Sequence, residues 1–277
     1  MYGKYKVDMQ GKKIFEGEYF QSEILNERYN DEGLPQLYQN HANCQEEIEN
    51  MIRFIEIVSQ MLHLKKSENV IEDIEKAEGR LRIKLPDVVK ALYLVVDKDK
   101  ILIGNKCRLL ELEELFVKDN VLAVLCRGKR KKVYLGIDLA VHHSMLWEEN
   151  KTDSSWEYEI CMESFCEMIL EYVAIQAIGR MPFCGTYRIK GYPTSEISAC
   201  ELLEESFQSI FIRFDGYYNW SCAVMLNQNT KTIAWLRTGE FYSDIQIGSY
   251  ESDVIEQFKK IRGEDGYSEK SGKSLAK

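Results

Sequence analysis

The run VLAVLCRGKRKKVYLGID, Val121 to Asp138, decides what kind of fold this chain adopts. Two apolar segments, Val121 to Cys126 and Val133 to Asp138, flank the basic hexad Arg127 to Lys132, which contains Gly128. Short apolar runs on either side of a polar, glycine-containing connection predict an antiparallel hairpin. The residues upstream carry a different period. From Glu46 onward Ile48, Ile52, Ile55, Val58 and Leu62 recur at helical spacing, leaving Glu47, Glu49 and Glu56 for a wet face. A second helix carries Ile71, Ile74 and Ala77, with Gly79 as its stop. Leu85-Pro86-Asp87 then opens a third, striped by Val88, Val89, Leu92, Tyr93 and Val96. Helices followed by antiparallel strands predict an α+β fold with a mostly antiparallel sheet and a closing helix.

Downstream of the charged turn Asp97 to Lys100, Ile101 to Ile103 is a short strand candidate, and Ser144 to Trp147 and Trp156 to Ile160 extend the hairpin. Ser164-Phe165-Cys166-Glu167 has the form of a capping box, and Phe165, Ile169, Tyr172, Val173 and Ala177 make the helix it starts. After Met181-Pro182 the order recurs in degenerate form. Ile210 to Phe214, Trp220 to Leu226, Thr232 to Leu236, Tyr242 to Ile247 and a helix with Val254, Ile255, Phe258 and Ile261 retrace hairpin, third strand, fourth strand and closing helix. The expected organisation is an N-terminal extension over 1–45 and an α+β domain over 46–180. A C-terminal α+β domain or degenerate repeat follows over 181–262, with a disordered tail over 263–277.

Composition limits the function classes. With 45% hydrophobic and 29% charged residues among 277, the chain has the makings of a folded globular protein. No apolar run approaches the ~20 residues of a membrane span, and Met1 to Gln10 lacks the apolar stretch of a secretory signal, which predicts a soluble, cytoplasmic protein. The cysteines, Cys44, Cys107, Cys126, Cys161, Cys166, Cys184, Cys200 and Cys222, are scattered singly, several within apolar segments, as buried free thiols would be. They form no ligand-spaced set with His41, His63, His142 or His143, so no metal is expected.

Catalytic patterns are missing as well. Cys126 and Cys161 have no placed base around them, His142-His143 would alternate across a strand, and glycine-rich phosphate loops are absent. The carboxylates of Glu111-Glu113-Glu114 and Glu201-Glu204-Glu205 read as solvated faces. Neither an enzyme nor a cofactor is expected. The hexad Arg127 to Lys132 reads as a hairpin tip, because one basic patch on a chain of net charge -9 is too little for nucleic-acid binding.

That negative charge is concentrated. Between Leu139 and Tyr172 eight acidic residues face one lysine, Lys151, a local balance of -7. Trp147, Glu148, Glu149, Asp153, Trp156, Glu157, Glu159, Glu163 and Glu167 combine large aromatic anchors with a charged rim, the composition of a protein interface. Asp215, Tyr217, Tyr218 and Trp220 form a second aromatic-rich candidate at a turn.

The segment from Ile71 to Ile178 resembles the SUKH superfamily, which includes a fungal cell-wall-synthesis regulator and many bacterial immunity proteins. The resemblance is carried by Ile71-x-x-Ile74-Glu75 leading to Leu85-Pro86, by Leu92-Tyr93, by Leu109-Leu110 to Leu115, by Tyr134-Leu135-Gly136-Ile137 and by the helix from Phe165 to Ala177. It departs from the family at Asp97 to Lys100, where a glycine-rich turn is usual. The resemblance implies a protein that binds and blocks a toxin, often a nuclease. The alternative is a non-catalytic scaffold or regulatory protein that turns the same surface toward an endogenous partner.

Overall fold

The computed structural model describes residues 4–7, 13–16, 44–99, 101–104, 107–128, 133–139, 146–149, 156–158, 165–190, 207–215, 220–239 and 242–261. The fold is α+β. A two-stranded hairpin, β1 (Lys4–Val7) with β2 (Lys13–Glu16), lies within the expected N-terminal extension. Three helices follow: α1 (Cys44–Met61), α2 (Ile71–Leu81) and α3 (Asp87–Val95). Sheet one contains β3 (Cys107–Leu109), β4 (Phe116–Lys118), β5 (Val121–Arg127), β6 (Val133–Asp138), β7 (Leu146–Glu149) and β8 (Trp156–Tyr158). Helix α4 (Phe165–Ile178) leads into sheet two. Its strands are β9 (Phe183–Lys190), β10 (Gln208–Asp215), β11 (Trp220–Asn227), β12 (Thr232–Gly239) and β13 (Tyr242–Ser249), with α5 (Ser252–Ile261) after them.

All strand pairings in both sheets are antiparallel. Sheet one runs β3-β5-β6-β7-β8, with β4 beside the other half of β5; sheet two runs β10-β11-β12-β13-β9. The meanders β5 to β8 and β10 to β13 share an order of elements, each followed by a helix. They differ in the added strand: β3 joins the first strand of its meander, whereas β9 joins the last.

Helix α4 explains how the halves are held. Nine of its fourteen residues are buried, from Phe165 to Ile178. A helix that is apolar on every side needs partners on every side. It packs on α1 and lies across β11, β12 and β13. On the side of sheet one, Tyr172 Oη accepts a 2.9 Å hydrogen bond from Arg127 at the end of β5. One hydrophobic cluster accordingly runs through Met51, Phe54, Val89, Leu92, Leu122, Leu135, Phe165, Val173, Val224, Ile233 and Trp235. The boundary expected at 180/181 falls between α4 and β9, and this core runs across it. Each such fully buried aliphatic or aromatic side chain contributes roughly 1.5 to 3 kcal/mol. The opposite face of sheet two has a smaller cluster, in which Ile255 and Phe258 of α5 cover Ala223, Met225, Ala234, Leu236, Ile245 and Ile247.

Three polar ties fix the helices to the sheets. Tyr93 Oη donates to the Leu110 carbonyl at 2.6 Å, Arg80 donates to the carbonyls of Leu112 and Leu115 at 2.8 and 2.9 Å, and Tyr250 Oη donates to the Met61 carbonyl at 2.6 Å. The last joins the end of β13 to the end of α1.

Local chemistry accounts for the departures from the sequence reading. Helix α2 continues past Gly79 to Leu81, because Arg82 takes the left-handed C-terminal conformation (φ 56°) and the Glu78 carbonyl accepts from Ile83 at 3.3 Å. Ile101 to Ile103 is a turn and not a strand. The buried Asp97 carboxylate accepts from the backbone N–H of Ile101 and Leu102 at 2.8 and 3.0 Å, so a side chain replaces a ladder partner. The charged segment that stands where a glycine-rich turn was expected is thus a carboxylate-centred one. Asp119 and Asn120, both at positive φ, make the tight turn from β4 to β5.

Candidate functional site

The expected interface residues fall into several groups. Trp147, Glu148 and Glu149 lie on β7, and Trp156 and Glu157 on β8, the last strand in the order of sheet one. Glu167 is in the first turn of α4 and half-buried, with one carboxylate oxygen out of solvent contact. Asp215 ends β10 and Trp220 begins β11, and the register pairs them directly. Asp153, Glu159, Glu163, Tyr217 and Tyr218 lie outside the described residues, as do His142, His143 and Cys161.

Register sorts the β7 and β8 positions into alternating rows. One row reads Leu109, Leu125, Leu135, Glu148, Glu157 from strand to strand. The alternate row reads Phe116, Ala123, Gly136, Trp147, Tyr158, and Glu149 pairs with Trp156 one step along. In an antiparallel sheet adjacent rows belong to opposite faces. The first row continues core leucines, since Leu109, Leu125 and Leu135 are all fully buried in the main cluster. Glu148 and Glu157 are therefore separated from the tryptophan positions, and the register places two acidic positions directly opposite each other.

The second row also meets the main core where it crosses β5 and β6: Ala123 and Cys126 are buried in the main cluster, and Phe116 and Tyr134 pack against it. Arg108, in the parallel row Arg108, Cys126, Tyr134, is exposed and ion-paired with Glu114. Phe116 and Tyr134 on that face are half-buried and meet edge-to-face, centroids 4.9 Å apart. They meet over the slender floor of Ala123 and Gly136. A Cβ on Gly136 would stand 2.5 Å from the Leu122 carbonyl oxygen and 2.7 Å from a Val121 methyl, so the floor admits no side chain there.

The clearest charge arrangement away from this sheet is structural, and sequence inspection missed it. Glu78 is buried at 6% exposure between α2 and α3. Its carboxylate accepts from Lys84 at 2.7 Å and from the Leu85 N–H at 2.9 Å, and it ion-pairs with Lys90 at 3.1 Å. The Lys84 hydrogen bond, aided by the Leu85 amide and Lys90 against the cost of burial, holds Glu78 down at about 2. The group clamps the Leu85-Pro86 entry to α3. The only signal for it in the sequence is the later lysines, at spacings no single helix explains.

Titratable side chains elsewhere serve packing. Burial pushes Tyr172 up to about 12 and Tyr93 well above the ordinary phenol range, so both hydroxyls act as neutral hydrogen-bonding groups. Cys107, Cys126, Cys166 and Cys222 are buried cysteines outside any disulfide, and Cys184 is half-buried. Among the described residues no cluster of His, Cys, Asp and Glu is placed to hold a metal ion, and no helix is long and apolar enough to cross a membrane. No family model matches the chain, and no curated protein or solved structure matches it.

Proposed function

We propose that this chain is an immunity-type binding protein that neutralises a cognate basic toxin, a nuclease being the best fit, by direct contact and without chemistry of its own. The observation that carries the proposal is the pairing of Glu148 with Glu157 across β7 and β8. Like charges directly opposite on neighbouring strands destabilise a sheet by a few tenths to about 1 kcal/mol. Folding alone gives no reason to keep such a pair. A basic partner does, because it converts the repulsion into attraction on binding, and its approach is accelerated by the local balance of -7. The phosphate-binding groove of a nuclease is a surface of that kind.

The experiment is co-purification with the product of the neighbouring gene, and protection against its toxicity, using wild type and Glu157→Lys. The substitution should raise the melting temperature by about 1 to 3 °C, because it exchanges repulsion for attraction within the sheet. It should also slow association with the toxin by about ten-fold or more at low salt. Stability and binding move in opposite directions. Full protection by the variant, or failure of the wild type to bind the toxin, overturns the proposal.

A further inference from the structure

The end strands of a sheet carry backbone N–H and C=O groups with no strand beyond them, and proteins guard such edges by shortness, charge or a bulge. Sheet one ends in strands of three residues, β3 and β4 on one side and β8 on the other, and each includes a charged residue: Arg108, Lys118 and Glu157. In sheet two, β10 is longer, but its register shifts between Ser209 and Phe211. The other end strand, β9, lacks these devices over most of its length. It has eight residues, pairs with β13 without a shift, and carries no charge from Phe183 to Tyr187. Phe183 is 43% exposed, and Thr186 is exposed as well. Among the described residues, Phe183 to Thr186 bond to no backbone other than that of β13. Half of the backbone groups of an antiparallel strand face away from a single neighbour, so this edge is left open.

We propose that β9 pairs with β9 of a second copy of this chain, antiparallel about a two-fold axis through Thr186, so that the two copies of sheet two join into one continuous sheet. Centring on Thr186 uses the strand from Phe183 to Ile189 and stops short of Pro182, which has no N–H to give. It sets Thr186 opposite itself, Phe183 opposite Ile189, Gly185 opposite Tyr187 and Cys184 opposite Arg188. No like charges meet, and threonine pairs and apolar pairs are favourable cross-strand neighbours. Charge selects this strand for self-association. The chain has a net charge of -9 and repels its own copies, yet β9 contains no acidic residue and only Arg188 and Lys190 as charges. A two-fold pair also closes, because each copy spends the same edge. The pairing uses no residue of β7 or β8, so this inference and the binding role proposed above stand or fall separately.

The test is light scattering of the full chain over a range of concentrations, which should show a monomer passing to a dimer as concentration rises. Thr186→Lys sets two ammonium groups opposite each other on the axis and should leave a monomer at every concentration. Because Thr186 is exposed, the circular dichroism of that variant should match wild type. Thr186→Cys reads the register. Directly opposed positions have Cα atoms about 4.5 to 5.5 Å apart, within disulfide reach, so mild oxidation should give a covalent dimer that a reductant reverses. Gly79→Cys, exposed on α2, is the control and should stay uncrosslinked. A wild type that is monomeric throughout, a dimer that survives Thr186→Lys, or a Thr186→Cys chain that cross-links no more than Gly79→Cys overturns the inference.

Discussion

Replacing Gly248 by alanine should destabilise the protein sharply, because it wedges apart the two elements that join its halves. Gly248 is on β13, opposite Cys184 of β9, where the C-terminal end of α4 comes closest to sheet two. A Cβ built there would stand 2.8 Å from Ile178 Cα, 2.9 Å from the Ile178 carbonyl oxygen and 2.9 Å from Met181 Sδ. The methionine can turn away. The helix backbone cannot, so α4 must lift by several tenths of an ångström along a face on which Val224, Ile233 and Trp235 are buried. Overpacking of this kind costs about 1 to 3 kcal/mol. For a protein of this size that lowers the melting temperature by roughly 4 to 8 °C at the middle of the range. Gly79→Ala is the matched control. Nothing lies within 4 Å of its built Cβ, and it is in the interior of α2. Alanine there should stabilise by about 0.5 to 1 kcal/mol. Thermal unfolding by circular dichroism reads both. Equal melting temperatures for Gly248→Ala and wild type would refute the placement of α4 against β13.

Two further predictions concern single polar contacts. Glu78→Gln should cost about 1 to 2 kcal/mol near neutral pH, mostly through the Leu85 amide, because the exposed Lys84 adds little. Since the folded pKa of Glu78, about 2, lies below its ordinary value of 4.5, its contribution is whole above 4.5 and is lost as pH falls from there toward 2. Urea unfolding at a series of pH values should therefore show variant and wild type converging only below pH 4.5; a constant gap would exclude the charge as the cause. Tyr250→Phe deletes the 2.6 Å bond to the Met61 carbonyl and should cost about 1 kcal/mol. Hydrogen exchange should then quicken at the end of α1, and unchanged protection there would mean that the tie does not anchor the helix.

The helices and the central strands were legible because their signals are local. The stripes of α1 and α3, and the apolar run of β5, declare themselves within a dozen residues, and the closing helices follow from their own periodicity. What escaped depends on partners distant in sequence. β9 carries Gly185 and polar residues and is a strand because β13 pairs with it along all eight positions. β3 and β4 are three residues each, held by the length of β5. The site was half legible. Composition located the acid and the aromatics of β7 and β8, but only register separates Glu148 and Glu157 from Trp147 and Tyr158. Phe116 and Tyr134, far upstream of the acidic stretch, could not be joined to the tryptophans without knowing that Ala123 and Gly136 lie between them.

The all-round burial of α4 bears on how the chain is made. A ribosome delivers α4 before any strand of sheet two exists, and the strands that cover it begin with Trp220 and finish with Ser249. At the usual ~5 to 20 residues per second, several seconds separate the helix from its cover. Over that interval the nascent protein carries Val173, Ala174, Ala177 and Ile178, all buried in the finished fold, without the strands of sheet two. A stop codon placed after residue 180 would leave α4 permanently without those strands.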